Sequence, residues 1–380
     1  MSIRQENFYS ISIHTIIDEL LVIYANTGAL VEDLFRDVKY HCHLIWRNRV
    51  RKIFINIIIV MIVLVGAGLF YQSTQQGKDV SKFPAPGKYY DVDGISMHLD
   101  CRGNGSPVLI IESGLGGGSS GWSLVHDALA SETRVCAYDR PGIDWSAPVH
   151  RFADSTEVSN RLFKLLTVAG VEGPKILLGM SAGGVYVREY YRNHPGDITG
   201  MVLIDSSHEQ QASRLPPQVT RTISMDTILI NACRLFQPIG VVRGLGIMEG
   251  YIDPDLDEAT RQPLLARLNQ SHYCSSVYWE QQSFSGEVSD ELPPDSLGEL
   301  PLLVLSQGKE PKAVGDDFTL EQAMAQAEIW DTLQDELMNL SSKSQRVIAY
   351  ESGHLIQNDQ PDLVIEEVQK FIRQLQSGVE

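Results

Sequence analysis

The sequence predicts an α/β protein, with a largely parallel sheet covered by helices on both faces. Three observations point there. From residue 88 onward, short apolar runs alternate with segments of helical period. Runs such as Val108-Leu109-Ile110-Ile111 are apolar without interruption, as strands buried on both faces are. Finally, Gly179-Met180-Ser181-Ala182-Gly183 stands where one such run gives way to a helical pattern.

Taken in order, strands are expected at 89–93 and 95–101, a hairpin turning at Asp93-Gly94. A strand at 107–112, a helix at 122–130, a strand at 134–138 and a helix at 154–169 follow. Next come a strand at 175–179, a helix at 182–193 and a strand at 200–205. Later strands at 301–306 and 346–350 flank a helix at 320–337, and a helix at 361–376 closes the domain, which spans 88–378. Residues 206–300 are too many for a connection between neighbouring strands. With helical patterns at 219–235 and 257–273, they read as an inserted cap over the C-terminal edge of the sheet, where open α/β sheets bind ligands.

Residues 53–71 carry one strongly polar side chain, Asn56, and suffice to cross a bilayer as a helix. Arg47, Arg49, Arg51 and Lys52 precede them; only Lys78 and Lys82 follow closely. The positive-inside rule puts residues 1–52 in the cytoplasm and the domain after residue 71 on the periplasmic, extracellular or lumenal side. A leader of some fifty residues is foreign to a cleaved signal peptide, so the span reads as a retained anchor. Apolar residues at 13, 16, 17, 20 and 21 suggest a short amphipathic helix, and the polar, proline-bearing stretch 72–87 reads as a linker.

The net charge of −17 over 380 residues leaves no basic stripe for phosphates and argues against nucleic acid. Nothing calls for a metal or an organic cofactor: His41-Cys42-His43 puts its ligands on different faces of a helix. Cys101 and Cys136 fall in strand-like runs and read as small buried residues. Cys233 and Cys274 both fall in the cap, and their spacing leaves pairing open.

The Gly-x-Ser-x-Gly turn between strand and helix suits a nucleophile. Glycines flank a backbone forced into strain, and the helix N-terminus beneath it can stabilise an oxyanion. Ser181 then needs a base, and His354, in a loop between the last strand and the last helix, is the best placed. The base needs an orienting carboxylate. Asp205 ends one strand and Glu310 follows the next; either could reach, while Asp316 and Asp317 read as a solvated pair. The Ala182 N–H is one expected oxyanion donor, and the Leu115 N–H in the loop Ser113-Gly114-Leu115-Gly116-Gly117-Gly118 is the other. That loop lacks the Gly-Lys-Ser/Thr ending of a nucleotide-binding loop. Tyr251, Tyr273, Tyr278, Trp279 and Phe284 in the cap suggest an apolar pocket.

Together, Glu112-Ser113-Gly114-Leu115-Gly116, Ala137-Tyr138-Asp139-Arg140-Pro141-Gly142, the Ser181 turn and Ser352-Gly353-His354 resemble, in this order, the α/β-hydrolase superfamily. The resemblance covers about residues 88–378. It implies an eight-stranded fold with Ser181 as nucleophile and His354 as base. Three departures stand out. Ser113-Gly114 replaces the frequent His-Gly of the oxyanion loop. Asp144 replaces a glycine. Pro311 occupies the position after the seventh strand where the family usually carries its aspartate, which favours Asp205, at the end of the sixth. The expectation is a membrane-anchored serine hydrolase that cleaves a small apolar ester through an acyl-enzyme. Acyltransferase, thioesterase or peptidase chemistry on the same residues, or a non-catalytic binding protein on this scaffold, are the alternatives.

Overall fold

A computed structural model describes residues 13–149, 151, 153–215, 228–287, 296–312 and 319–378. The chain divides into two units, Met1–Gly66 and Ala67–Glu380. Helix α1, Ile13–Lys82, is 70 residues long and contributes to both. It takes in the expected amphipathic stretch and, among the described residues, holds the one segment long and apolar enough to cross a membrane. None of that apolar window is buried.

Residues 72–82, expected as linker, continue this helix. Their composition is polar but not helix-breaking: Gln, Lys and Ser outnumber the single Gly77. The helix stops at Lys82 because Pro84 disfavours helical backbone at the residue before it.

The larger unit holds one eight-stranded sheet in the order β1-β2-β4-β3-β5-β6-β7-β8. The strands are β1 Lys88–Val92, β2 Ile95–Arg102, β3 Val108–Glu112, β4 Val135–Tyr138, β5 Lys175–Met180, β6 Ile198–Ile204, β7 Leu302–Gln307 and β8 Ser344–Ala349. β1 and β2 pair antiparallel, as do β2 and β4; the other pairs are parallel. The β1–β2 turn takes Asp93 and Gly94 to φ 53° and 82°, the left-handed angles of a two-residue hairpin.

The pleat sorts side chains between two cores. Val108, Ile110, Leu177, Met201, Leu203, Leu302 and Val304 pack on one face with Leu162, Leu165 and Leu166 of helix Ser155–Val168. Leu109, Ile111, Ile176, Leu178, Val202, Ile204, Leu303 and Leu305 pack on the other with Val364, Val368, Phe371 and Ile372 of helix Pro361–Ser377. Burial on both faces is why these strands read as continuous apolar runs. Each such side chain contributes roughly 1.5–3 kcal/mol on leaving water.

Between β6 and β7 the described cap contains helices Gln211–Arg214, Val241–Gly244, Glu258–Leu268 and Tyr273–Glu287. Of the helix expected at 219–235, residues 219–227 lie outside the described residues; 228–235 are helical. The helix expected at 257–273 ends earlier, at Leu268. There Gln237 Nε2 donates to the Leu268 carbonyl at 2.7 Å and Gln72 Nε2 to the Asn269 carbonyl at 2.7 Å. Donors from elsewhere in the fold thus satisfy the last carbonyls, and a second helix starts at Tyr273.

Cys233 and Cys274 form a disulfide across the cap. Cys101 and Cys136 are also disulfide-bonded, and not merely small buried residues. They are direct partners in the β2–β4 register, a pairing made by the topology that 35 intervening residues conceal.

Candidate active site

The turn from β5 into helix α2, Ala182–Asn193, carries Ser181 at φ 54°, ψ −125°. An L-residue is held there only by its surroundings. Ser181 donates its N–H to the Ile204 carbonyl at 3.1 Å and accepts the Ser207 N–H at 2.9 Å. The flanking glycines let the backbones close: a Cβ at Gly179 would lie 2.5 Å from the Gly183 carbonyl oxygen, and one at Gly183 would overlap the Glu112 carbonyl.

β6 delivers Asp205 beside this turn, buried and at φ 40°. Its Oδ2 lies 2.6 Å from His354 Nδ1, and His354 Nε2 lies 3.0 Å from Ser181 Oγ. With Nδ1–H donating to the carboxylate, Nε2 is the acceptor for the serine hydroxyl. The second oxygen of Asp205 accepts the Gln307 N–H at 3.1 Å and the Trp330 Nε1–H at 2.9 Å. The Trp330 and His354 rings also meet edge to face, 5.9 Å between centroids. The structure therefore brings Ser181, His354 and Asp205 together. Glu310 is exposed, and Asp316 and Asp317 lie outside the described residues.

The loop 113–118 closes the other side. A Cβ at Gly114 would stand 3.0 Å from Met180 Sδ and 3.1 Å from Ser181 Cβ, tighter than ordinary van der Waals contact, so glycine eases the loop's approach. Leu115 and Ala182 share one apolar cluster with Val158, Val185, Tyr186 and Phe284. The Ala182 N–H opens helix α2 and has no acceptor within it.

The loop is held from beneath by Arg140. Its Nη1 donates to the Ser113 carbonyl at 2.7 Å and to the Glu112 carboxylate; its Nη2 donates to the Gly114 carbonyl at 2.6 Å. From above, Glu280 of the cap accepts the Gly116 N–H at 2.8 Å and, through its other oxygen, the Arg140 Nε–H at 2.8 Å. The Tyr273 hydroxyl donates to the Gly116 carbonyl at 3.1 Å. Burial opposes the Arg140 charge, but Glu280 and Glu112 outweigh it and hold the guanidinium well above its ordinary pKa. Burial also raises Glu112, against the pull of Arg140.

Asp144, the departure from the family's glycine, adopts φ 43° and accepts the Ser120 N–H at 2.9 Å. Neighbouring Asp139 accepts the Ser119 N–H at 2.7 Å. Burial first, and then the Asp139 charge, push the Asp144 carboxyl up to about 7.

Arg140 stood within a recognised motif, but its grip on the loop had no sequence signal, and neither did Glu280 or Trp330. Of the five cap aromatics, Phe284 and Tyr273 reach this neighbourhood, and Trp279 lines a small cavity with Arg140, Tyr186 and Glu280. Tyr251 is exposed, and Tyr278 and Trp279 flank the Arg234 guanidinium. Other histidines are engaged elsewhere: His98 with Asp139 at 2.7 Å, His194 stacked on Phe163, and His208 beside Glu336.

The model of the alpha/beta hydrolase family matches residues 108–367. YqjL, an uncharacterised protein of Bacillus subtilis (strain 168), is 24% identical over 278 residues, covering 73% of this chain and 88% of its own. A thermophilic esterase from Thermogutta terrifontis has TM-score 0.50 and 20% identity, covering 76% of this chain and 97% of its own. The esterase RhEst1 from Rhodococcus sp. ECU1013 has TM-score 0.52 and 21% identity, covering 76% and 98%. At these identities the likeness to the solved structures is one of fold.

Proposed function

The chain belongs to the alpha/beta hydrolase family, and from that premise we propose that it is a membrane-anchored serine hydrolase cleaving a carboxylic ester of a small apolar substrate. The observation that carries this reading is the unbroken hydrogen-bond chain from Asp205 through His354 to Ser181. His354 Nε2 takes the hydroxyl proton as Ser181 Oγ attacks the ester carbonyl carbon. The N–H groups of Leu115 and Ala182 receive the oxyanion. Collapse breaks the C–O bond; the alcohol leaves with the proton from His354, and the acyl group stays on Ser181. Water, deprotonated by His354, then attacks the acyl-enzyme, and collapse releases the acid and returns the proton to Ser181. Asp205 fixes the imidazole tautomer and offsets its positive charge.

Val158, Tyr186 and Phe284, beside Leu115 and Ala182, supply an apolar wall for the acyl group. The esterase names of the two fold neighbours agree with an ester substrate. The anchor reading rests on residues 53–71 and the cationic residues before them. Both disulfides lie after this segment, as they must if the catalytic unit faces an oxidising compartment.

Fluorophosphonate labelling of the full chain tests the site, with the modified residue located by mass spectrometry. Labelling is expected at Ser181, lost in Ser181→Ala and slowed roughly 10²–10⁴-fold in Asp205→Asn. Glu310→Gln should label like the parent. The reverse pattern among the acids moves the orienting carboxylate to Glu310, and an unlabelled, folded parent chain removes the hydrolase reading.

A further inference from the structure

The cap carries a strip of exposed apolar side chains. Between residues 235 and 251 the only charged side chains are Arg243 and Glu249. Arg243 turns inward, with Nη2 2.7 Å from Asp79 Oδ2 and Nε 3.2 Å from Gln72 Oε1. Outward, Leu235, Phe236, Val241, Leu245, Ile247 and Tyr251 are all exposed, Leu245 to 72% and Tyr251 to 69%. Glu249, also exposed, lies 3.8 Å from Arg261. An exposed apolar surface interrupted by one partnered charge marks a surface with a partner.

The position of the strip identifies the partner. Its turn at Ile239-Gly240 lies against Gly68 and Tyr71. A Cβ at Gly68 would overlap the Ile239 carbonyl, and one at Gly240, where φ is 73°, would lie 2.9 Å from Tyr71 Cδ1 and 3.1 Å from the Gly68 carbonyl oxygen. Gly68 and Tyr71 close the apolar run 53–71, where Leu69 and Phe70 are themselves exposed. Beyond this contact the helix turns polar, and Arg243 of the strip reaches it there, at Gln72 and Asp79. Beyond Tyr71, Gln72 bonds the Asn269 carbonyl at 2.7 Å and Gln76 accepts the Ser271 N–H at 3.0 Å. A helix rising about 1.5 Å per residue covers on the order of 28 Å over 53–71, about one hydrocarbon core. Whatever solvates its last turn also reaches the Ile239-Gly240 turn bound to it, within the strip.

We propose that residues 235–251 lie in the interfacial layer of a phospholipid bilayer, so that the cap rests on the membrane at the foot of the span. The proposal rests on the anchor reading above. Tyr251 is of a residue type that favours that layer. The strip is tied to the catalytic side of the cap by the Cys233–Cys274 disulfide, one residue from Tyr273, which holds Gly116.

The test uses the full chain, one copy per phosphatidylcholine nanodisc, with Leu245→Trp and Tyr251→Trp variants. Retained fluorophosphonate labelling reports that each variant is folded. The emission added over the parent should fall by more than about half when the acyl chains carry bromine, and should resist aqueous iodide. Quenching by iodide without quenching by bromolipid overturns the proposal. So does an added emission that neither quencher reaches, which means the strip is covered by protein. Flotation of the same chain with vesicles separates the two readings. A chain that does not float refutes the anchor, whereas one that floats with an unquenched Trp refutes only the strip.

Discussion

The Glu280 carboxylate, carried on a cap helix, accepts the Gly116 N–H at 2.8 Å, one residue from the proposed oxyanion donor Leu115. Its other oxygen holds Arg140, which in turn binds the Ser113 and Gly114 carbonyls. The cap therefore positions the loop as well as covering it. Glu280→Ala should lower kcat about 10–100-fold, a barrier increase of about 1.4–2.7 kcal/mol, with KM changed less than about threefold. Glu280→Gln keeps an acceptor and should recover part of the rate. Steady-state kinetics on a p-nitrophenyl ester measure both; an unchanged kcat in Glu280→Ala removes the positioning role.

Trp330 donates to the Asp205 oxygen that His354 does not use. Trp330→Phe keeps the ring against His354 but deletes that donor, leaving the oxygen with the Gln307 N–H alone. A buried carboxylate short of one hydrogen bond is freer to rotate away from the imidazole. The rate of fluorophosphonate labelling should fall roughly 5–20-fold, about 1–2 kcal/mol, with the fold intact by circular dichroism. Labelling at the parent rate would show the indole to be packing only.

Asp144 sets a pH dependence of stability. Its carboxyl, near 7 in the fold against 3.8 ordinarily, takes up a proton on folding. Its contribution to stability is full below the unfolded value and is lost as pH rises towards about 7. Asn at 144 retains an oxygen for the Ser120 N–H and carries no charge. The melting temperature of Asp144→Asn relative to the parent should therefore rise between pH 5 and pH 8, by about 3 °C or more. A constant difference across that range contradicts the buried, proton-linked carboxyl.

The parts of the molecule that were legible in the sequence are local. Strand β3 announced itself because both its faces are buried, and the Ser181 turn because glycine alone tolerates the close approach of the Glu112 and Gly183 carbonyls. Asp205 and Glu310 were harder to rank, since each follows a strand on the same edge. What separates them in space is the left-handed turn at 205, which sends one carboxylate inward while Glu310 remains in solvent. The illegible parts depend on residues far apart in the chain. The Leu268 terminus answers to Gln237 and Gln72, the Cys101–Cys136 bond to strand register, and the grip on loop 113–118 to an arginine and a glutamate 140 positions apart. None of these leaves a periodic or compositional trace.

Asp205 sits at the end of β6, so the loop that leaves β7 carries none of the three hydrogen-bonded residues. Its first residues, Gly308 and Lys309, stay tied to the Ser352 carbonyl, two residues from His354. Beyond Lys309, insertions, deletions and changes of charge should be tolerated, whereas the four residues from Ile204 to Ser207, which position Asp205, should keep their length. Variation among relatives should concentrate in the loop after Lys309, and the chain's tolerance of grafted segments should be greatest there.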